Sequence, residues 1–468
     1  MPKNPVLYEL LLTLNNAELR RFGKFVRSPY FTHRSELAAM FACLVRYCYR
    51  QSDLPDKTTL FQKTFPGQSY DDLLLRATMS DLRELLEEFL LQQRLRGQEI
   101  QAHLALAAEC RDRNLDKFFL QNIRKVEQLL DDAPVANADH LALVLELQLE
   151  KAHFQTRTVR AGELPLQDIS NSLDTLYLAQ KLRHACTQLS HQAVYKTSYD
   201  FGLLHKVLDA VAEGPYLQVP AIALYYYCYR FLTEQYSQAY FQQFRLALQQ
   251  NGALFPDSEL KNLYLLAINF CIRKLNTGDE LFLREGWALY REGLERGFLL
   301  EHGRLSGFTF NNVAAFGIKM GAYADVEMFI LKYAEHLEPV QREGFVAFNR
   351  ARLEYARKHY EQALRLLQSA DFKDLVNNLI AKTLLLKIYF ELREFDLLDA
   401  HLENFRSFIR RREVSDYHRA NYNNIIGMVR KLCALPPGNS VARQSLQQEI
   451  KNTEILTERE WLLQQVAR

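Results

Sequence analysis

Glycine and proline are both scarce, 18 and 13 residues in a chain of 468. The shortage disfavours turn-dense β-sandwiches and the glycine-rich loops that cradle nucleotide phosphates, and it leaves room for long helices. Neither sign of charge is in excess: 58 Lys and Arg stand against 56 Asp and Glu, a formal net charge of +2. Binding to nucleic acid or to an anionic membrane therefore lacks a whole-chain electrostatic drive and needs a local patch. No uncharged apolar run approaches the roughly 20 residues that span a bilayer. The opening Met1-Pro2-Lys3-Asn4-Pro5 and the apolar stretch behind it, broken by Glu9 and Thr13, do not read as a signal peptide. The closing Gln465-Val466-Ala467-Arg468 carries no lipidation motif. The expectation is a cytoplasmic protein with no membrane partner.

The familiar catalytic signatures are missing as well. The sequence holds no H-E-x-x-H pair, no phosphate loop followed by Lys-Ser or Lys-Thr, no G-x-S-x-G elbow and no dinucleotide fingerprint. The reading is a non-enzyme that takes no cofactor. Seven cysteines, Cys43, Cys48, Cys110, Cys186, Cys228, Cys271 and Cys433, are scattered and form no C-x-x-C pair. Reduced thiols, mostly in the core, are expected rather than a disulfide framework or zinc site. His184, Cys186 and His191 are the tightest His/Cys group, but two turns of helix separate the imidazoles and a metal needs further ligands, so no metal is assigned.

What is present is helical rhythm. Between Asp71 and Leu95, residues Leu74, Leu75, Leu82, Leu85, Leu86, Phe89 and Leu90 recur every three or four positions, which predicts one long amphipathic helix. Asn15 and Asn16 cap a helix starting near Ala17. Asp56 caps a short one that Pro66-Gly67 ends. No segment reads as a strand; even Tyr225-Tyr226-Tyr227 lacks alternation. Brief breaks at Arg113-Asn114, Gly162 to Pro165, Asn251-Gly252 and Thr277-Gly278 imply antiparallel neighbours.

The last third repeats. Ala351, Tyr360, Ala363, Leu367 and Ala370 define a template that Ala314, Tyr323, Val326, Ile330 and Tyr333 also fit, as do Leu386, Phe395, Leu398, Leu402 and Phe405. The anchors Tyr323, Tyr360 and Phe395 lie 37 and 35 residues apart, close to the roughly 34-residue period of a helix–turn–helix unit. This pattern resembles the tetratricopeptide repeat. It departs from it where Leu386 replaces the small residue and where Val326 and Leu398 replace the alanine of the second helix. Upstream, Tyr236 and Ala239 keep only the aromatic-to-alanine pair. The whole chain also looks like a set of uncharacterised bacterial helical-repeat proteins, through Phe25-Val26-Arg27-Ser28-Pro29-Tyr30-Phe31 and Ala267-Ile268-Asn269-Phe270-Cys271-Ile272-Arg273-Lys274. That likeness brings no activity with it. The fold expected is all-α: a right-handed α-α superhelix of tetratricopeptide-like hairpins with an N-terminal helical subdomain. Its parts are an N-terminal helical subdomain (1–96), irregular hairpins (97–215), the repeat array (216–435), and a C-terminal linker and capping helix (436–468).

Stacked hairpins create an extended concave surface, so the leading expectation is a scaffold or adaptor that binds a peptide or helix in that groove. Asn311, Asn312, Asn349, Arg350 and Lys387, taken to face solvent from the first helices of the late hairpins, are the candidate partner-binding residues. The alternative is a nucleic-acid-binding regulator. Its candidate anion site is Arg406, Arg410, Arg411, Arg412 and Arg419, near which Arg430 and Lys431 also outnumber Glu413 and Asp416. A second basic stretch is Arg20, Arg21, Lys24, Arg27 and Arg34. The N-terminal short helix, Pro-Gly break and long helix resemble the winged-helix unit of some transcription regulators, yet Asp71, Asp72, Asp81, Glu84, Glu87 and Glu88 on the long helix repel phosphates. The aromatics Tyr225 to Phe244 read as inter-helix packing with an outward subset open to a partner. Gly286, Gly293, Gly297, Gly303, Gly307, Gly317 and Gly321 read as turns and close helix crossings.

Overall fold

The computed structural model describes residues 6–50, 55–132, 135–158, 164–195, 197–234, 237–276, 279–368, 375–412, 416–436 and 438–468. Ala370, Tyr236, Glu413, Gly162 and the Thr277-Gly278 break lie outside them. Among the described residues the backbone forms twenty-three α-helices, three short 3-10 turns and a single two-stranded hairpin. The all-α expectation holds. It is corrected at one place, where β1 (Leu300–Glu301) pairs antiparallel with β2 (Arg304–Leu305). His302 and Gly303 between them both take positive φ, 50° and 77°, the backbone twist that a two-residue hairpin turn demands.

The helices fall into two compact units, one drawn from Met1–Lys181 and Asp209–Ile222, the other from Leu182–Leu208 and Ala223–Arg468. The first unit begins with α1 (Val6–Leu12), α2 (Asn16–Val26), α3 (Ser35–Arg50), α4 (Lys57–Thr64) and α5 (Asp72–Arg96). Their starts are written in the sequence. Asn15 Oδ1 accepts from the amides of Ala17 and Glu18 while the Asn15 amide donates to Glu18 Oε2 at 2.8 Å, a reciprocal cap. Asp56 accepts from the Thr59 amide and Asp71 from the amides of Leu73 and Leu74, capping α4 and α5 by the side chain alone. The stripe of α5 faces inward: Leu75, Leu82, Leu85, Leu86 and Phe89 are buried in one core with Phe22, Phe41 and Phe61. The carboxylates on α5 are partly spent on neighbours, Asp72 on Lys57 and Arg76, Asp81 on Arg34. No strand occurs among the described residues of this segment, so its likeness to a winged helix extends to helices alone. Next come α6 (Glu99–Asp112), α7 (Asp116–Asp132), α8 (Ala138–Thr158) and α9 (Leu166–Tyr195), with Phe119 of α7 stacked on Phe154 of α8 at 4.1 Å.

After α10 (Leu204–Glu213) the chain continues as α11 (Pro220–Thr233), α12 (Ser237–Asn251), α13 (Asp257–Asn276) and α14 (Leu281–Glu295). The repeat follows. It comprises α15 (Gly307–Lys319) with α16 (Tyr323–Tyr333), α17 (Pro339–Ala356) with α18 (Tyr360–Gln368), and α19 (Leu375–Glu391) with α20 (Phe395–Arg411). The chain closes with α21 (Asp416–Cys433), α22 (Ser440–Asn452) and α23 (Arg459–Ala467).

Three repeat hairpins close with the same turn. Gly321, Lys358 and Arg393 take φ of 74°, 65° and 60°, each two residues before its aromatic anchor. The next amide reaches back five residues, Ala322 to Gly317, His359 to Glu354 and Glu394 to Tyr389, each at 2.9 Å. This double closure satisfies carbonyls that a helix end otherwise leaves bare. Asn114, with φ of 60° and a Leu115 to Cys110 bond of 2.8 Å, closes α6 onto α7 identically. The side-chain template does not reach that hairpin. The template positions Ala314, Ala351 and Leu386 are fully buried, as are Val326, Ala363 and Leu398 opposite them. The aromatic anchors are not core residues: Tyr323 and Tyr360 are half-buried and Phe395 is exposed.

Gly317 shows why this sector needs glycine. A Cβ there would stand 2.3 Å from Val326 Cγ2 and 2.8 Å from the Trp287 ring, so the crossing has no room for a methyl group. Gly427, in α21, has nothing within 4 Å of the same position. Gly317→Ala is expected to lower stability by about 1–3 kcal/mol through overpacking. Gly427→Ala is expected to leave it unchanged or raise it by up to about 1 kcal/mol through helix propensity. Urea unfolding midpoints of the two variants check the pair, and equal midpoints would contradict the packing.

Candidate functional site

The five residues expected to face solvent from the first helices do not share one environment. Asn349 is fully buried and Asn311 is 9% exposed. Asn349 Nδ2 donates to Asn311 Oδ1 at 2.7 Å and to the Phe345 carbonyl at 2.8 Å, and Asn311 Nδ2 donates to Asn377 Oδ1 at 2.8 Å. An amide ladder thus crosses α15, α17 and α19. Arg352 Nη1 braces it by donating to the Asn311 carbonyl at 3.1 Å. The solvent-facing assignment of Asn311 and Asn349 is therefore corrected. Both lie on the side of a first helix that meets the next first helix, where an amide is tolerated only when its bonds are made.

Lys387 is corrected likewise, being 9% exposed. Its Nζ donates to Glu458 at 2.7 Å and lies 4.7 Å from the Tyr355 ring centre and 5.7 Å from that of Trp461. Asn312 is half-buried and bonded to the Tyr290 hydroxyl, and Arg350 is exposed as expected.

Around Lys387 the face of α19 and α21 carries a segment of the chain itself. Glu458 sits in the left-handed region, φ 56°, at the start of α23. The Trp461 indole N–H donates to Glu391 Oε1 at 3.1 Å, Gln465 Nε2 donates to the same oxygen at 2.7 Å, and Arg468 reaches Glu391 Oε2 at 3.1 Å. The Trp461 ring meets Phe390 edge-on at 5.4 Å. Asn421 and Asn424 of α21 hold the preceding turn by the Thr457 amide and the Ile455 carbonyl. Withdrawal from water lowers the pKa of the Arg352 guanidinium, which the Glu458 charge opposes, and raises that of the Tyr355 hydroxyl. Arg352, Tyr355, Asn377, Glu391, Glu458 and Trp461 escaped the sequence reading. The one local signal was Arg352, three residues beyond Asn349 on the same helix.

Of the five arginines proposed for an anion, three are brought together. Arg406 and Arg410 of α20 and Arg419 of α21 line a pocket of about 390 Å³. Arg411 and Arg412 are exposed and do not line it, and the Arg412 guanidinium instead lies 5.8 Å from the Phe408 ring centre. In the N-terminal basic stretch two arginines have partners of their own. Its Arg34 is paired with Glu36 and Asp81, and Arg27 caps its own helix at the Gly23 carbonyl.

Elsewhere several buried polar groups pair with one another. Arg245 clamps Glu292 with two bonds of 2.6 and 2.9 Å, Tyr264 adds a third at 3.1 Å, and burial with the nearby Glu292 charge pushes the Tyr264 hydroxyl up to about 12. The Tyr225 hydroxyl donates to Glu259 at 2.7 Å in the core. Most of the aromatic cluster is interior, with Phe231 against Phe241 and Phe244 at 5.3 and 5.2 Å. Six cysteines are buried and Cys433 is exposed, all as free thiols. His191 pairs with the Tyr199 hydroxyl at 2.8 Å rather than with His184. Among the described residues no group of three His, Cys, Asp or Glu converges as a metal site, and no helix is long and apolar enough to cross a membrane.

Asn349→Ala removes the donor of Asn311 Oδ1 and is expected to cost about 1–3 kcal/mol, the desolvation penalty of an orphaned buried amide. Urea unfolding reads it, and a loss below about 0.5 kcal/mol would show that the ladder bears no load. A second expectation concerns His401, whose Nε2–H donates to the Lys382 carbonyl at 2.8 Å and whose pKa burial lowers from 6.5. The unfolded chain then binds more protons than the folded one, so this contribution to stability is intact above pH 6.5 and is lost as pH falls below it. His401→Gln should lose less stability than the wild type between about pH 7.5 and 5, and parallel curves would contradict the assignment. No family model, no curated protein and no solved structure matches the chain, so its likenesses rest on the residues above.

Proposed function

We propose that the chain is a non-enzymatic scaffold or adaptor whose first-helix face holds a peptide or helix of a protein partner. The observation that carries this reading is that the face already engages a helical segment. α23 lies against it through a carboxylate on Lys387, an indole on Phe390 and Glu391, and amides on α21. A surface that recognises one amphipathic segment by charge, ring and backbone contacts has the chemistry to recognise another. On the first helix α17, Arg350 is exposed.

The recurrence of one closing turn at Gly321, Lys358 and Arg393 supports a tetratricopeptide-like, right-handed superhelical stack as the form of this array. Free buried thiols suit a cytoplasmic working place. The second reading, a nucleic-acid-binding regulator, draws on the arginine pocket between α20 and α21. Cations gathered at one point suit a single anionic group better than the extended track of contacts a polyanion uses.

The test is affinity purification of the tagged full chain from its native cells. A stoichiometric protein partner is expected, retained by the charge reversal Arg94→Glu at an exposed position of α5 and reduced at least about tenfold by the charge reversal Arg350→Glu at an exposed position of α17, a loss of roughly 1.4 kcal/mol. A partner held equally by both variants, with unfolding midpoints matched, or nucleic acid recovered in its place, would contradict the reading.

A further inference from the structure

A groove of about 340 Å³ opens between α9, α11 and α13, and its lining residues all belong to the second unit. Leu189, Leu232, Leu266 and Ile272 form apolar walls, and Ser190, Asn269 and Arg273 supply the polar groups. On α13 the lining follows the helix: Leu266, Asn269 and Arg273 stand three and four residues apart and so share a face. Ala193, Asn269 and Arg273 are exposed, which leaves the rim open to water.

The closing bond of the α13 to α14 hairpin sets its register against the later hairpins. The Asp279 amide donates to the Lys274 carbonyl at 3.1 Å, the same five-residue reach as Glu394 to Tyr389. Two residues before the accepting carbonyl stand Ile272 on α13, Arg352 on α17 and Lys387 on α19. The groove thus takes up on α13 the register position that Glu458 and α23 engage on α19. The next position is Phe316, Leu353 and Ile388 in the later hairpins, all buried, and it is the exposed Arg273 here. A guanidinium where the other hairpins use apolar side chains is not demanded by the stacking.

The electrostatics around it favour an anion. From Leu182 to the end of α9, along all of α11, and from Leu260 to the end of α13 the sequence holds no Asp or Glu. Glu234, two residues beyond Leu232, is paired with Arg230 at 3.0 Å. Arg273 makes no ion pair with a described residue, and its guanidinium lies 6.0 Å from the Phe270 ring centre. Apolar walls beside one cation match a helical segment that carries an apolar side chain and a carboxylate one turn away. They do not match a polyanion, which needs cations along a track. A free apolar acid offers the same two groups, but the open rim leaves it partly in water, whereas a helix laid across the groove covers the rim.

We propose that this groove holds an apolar side chain of an acidic amphipathic helix from a protein partner, with a carboxylate of that helix on Arg273. The proposal rests on the reading of the first-helix face as a partner surface and adds to it a second contact of stated chemistry.

The full chain is tested at low salt against three probes. They are a degenerate library of helical peptides with Leu, Phe or Met at spacings of three and four and Glu between them, the same library with Lys in place of Glu, and octanoate. The acidic library is expected to be retained at least about tenfold over the basic one. Arg273→Glu should abolish that preference, and Ala193→Trp, which fills the groove, should lower retention of the acidic library about tenfold. Arg94→Glu changes the net charge equally on α5 and should keep the preference. Arg94, Ala193 and Arg273 are all exposed, so unfolding midpoints should stay at the wild-type value, and Arg273→Glu remains the readout if the tryptophan shifts its own. Equal retention of the two libraries overturns the proposal. A preference that survives Arg273→Glu but is lost in Arg350→Glu overturns the groove and spares the broader reading of the first-helix face. Octanoate that binds more tightly than the acidic library, and is lost in Arg273→Glu, overturns the helical occupant and makes the groove a small-acid site.

Discussion

Three repeat hairpins, with the α6 to α7 hairpin built the same way, depend on one backbone event: a single left-handed residue that stops the first helix and lets the following amide reach back five residues. Gly321, Lys358, Arg393 and Asn114 perform it, and only one is glycine. For the other three the strained conformation is held by two hydrogen bonds and by the packing of the second helix. Because the turn is the same length each time, the second helix begins at a fixed distance from the first. Val326, Ala363 and Leu398 are then delivered opposite Ala314, Ala351 and Leu386. The same fixed register sets successive first helices side by side. Once they are there, Asn311, Asn349 and Asn377 meet, and their amides must satisfy one another or be stranded away from water.

Much of this was legible locally. The caps Asn15, Asp56 and Asp71 sit where short polar side chains precede apolar rhythm, and α5 buries the stripe its leucines spelled out. The repeat emerged from spacing because small and large apolar residues must alternate across a hairpin. What spacing does not carry is the direction of polar residues that flank the stripe. Asn349 and Arg350 are neighbours in sequence, one fully buried and the other exposed, and only the position of the next first helix distinguishes them. Lys387 is buried for a longer-range reason, because Glu458, 71 residues on, takes its charge. The turn at His302-Gly303 was also readable in principle, but strands of two residues fall below any periodicity.

The functional account rests on two surfaces of the second unit whose chemistry differs. On the first-helix face, charges are withdrawn from water and matched: Lys387 to Glu458, and Glu391 to the indole, amide and guanidinium of α23. Such pairing carries a desolvation cost that only well-placed partners offset. In the pocket of α20 and α21 the arginines Arg406, Arg410 and Arg419 are exposed to water and share the wall with Glu403. The sequence pointed to this second surface because arginines four apart share a helix face. It could not say that Arg419, from the next helix, would complete it while Arg411 and Arg412 would not.

The claim at the centre of the account is that the first-helix face holds a segment of a partner. Hydrogen–deuterium exchange tests it directly on the full chain, isolated from its native cells with what it retains and again after stripping in high salt. The account predicts slower exchange in the retained state, confined to α17, α19 and the adjoining α23. Protection that is absent, or that falls on α2 to α5 and leaves these helices unchanged, would contradict it.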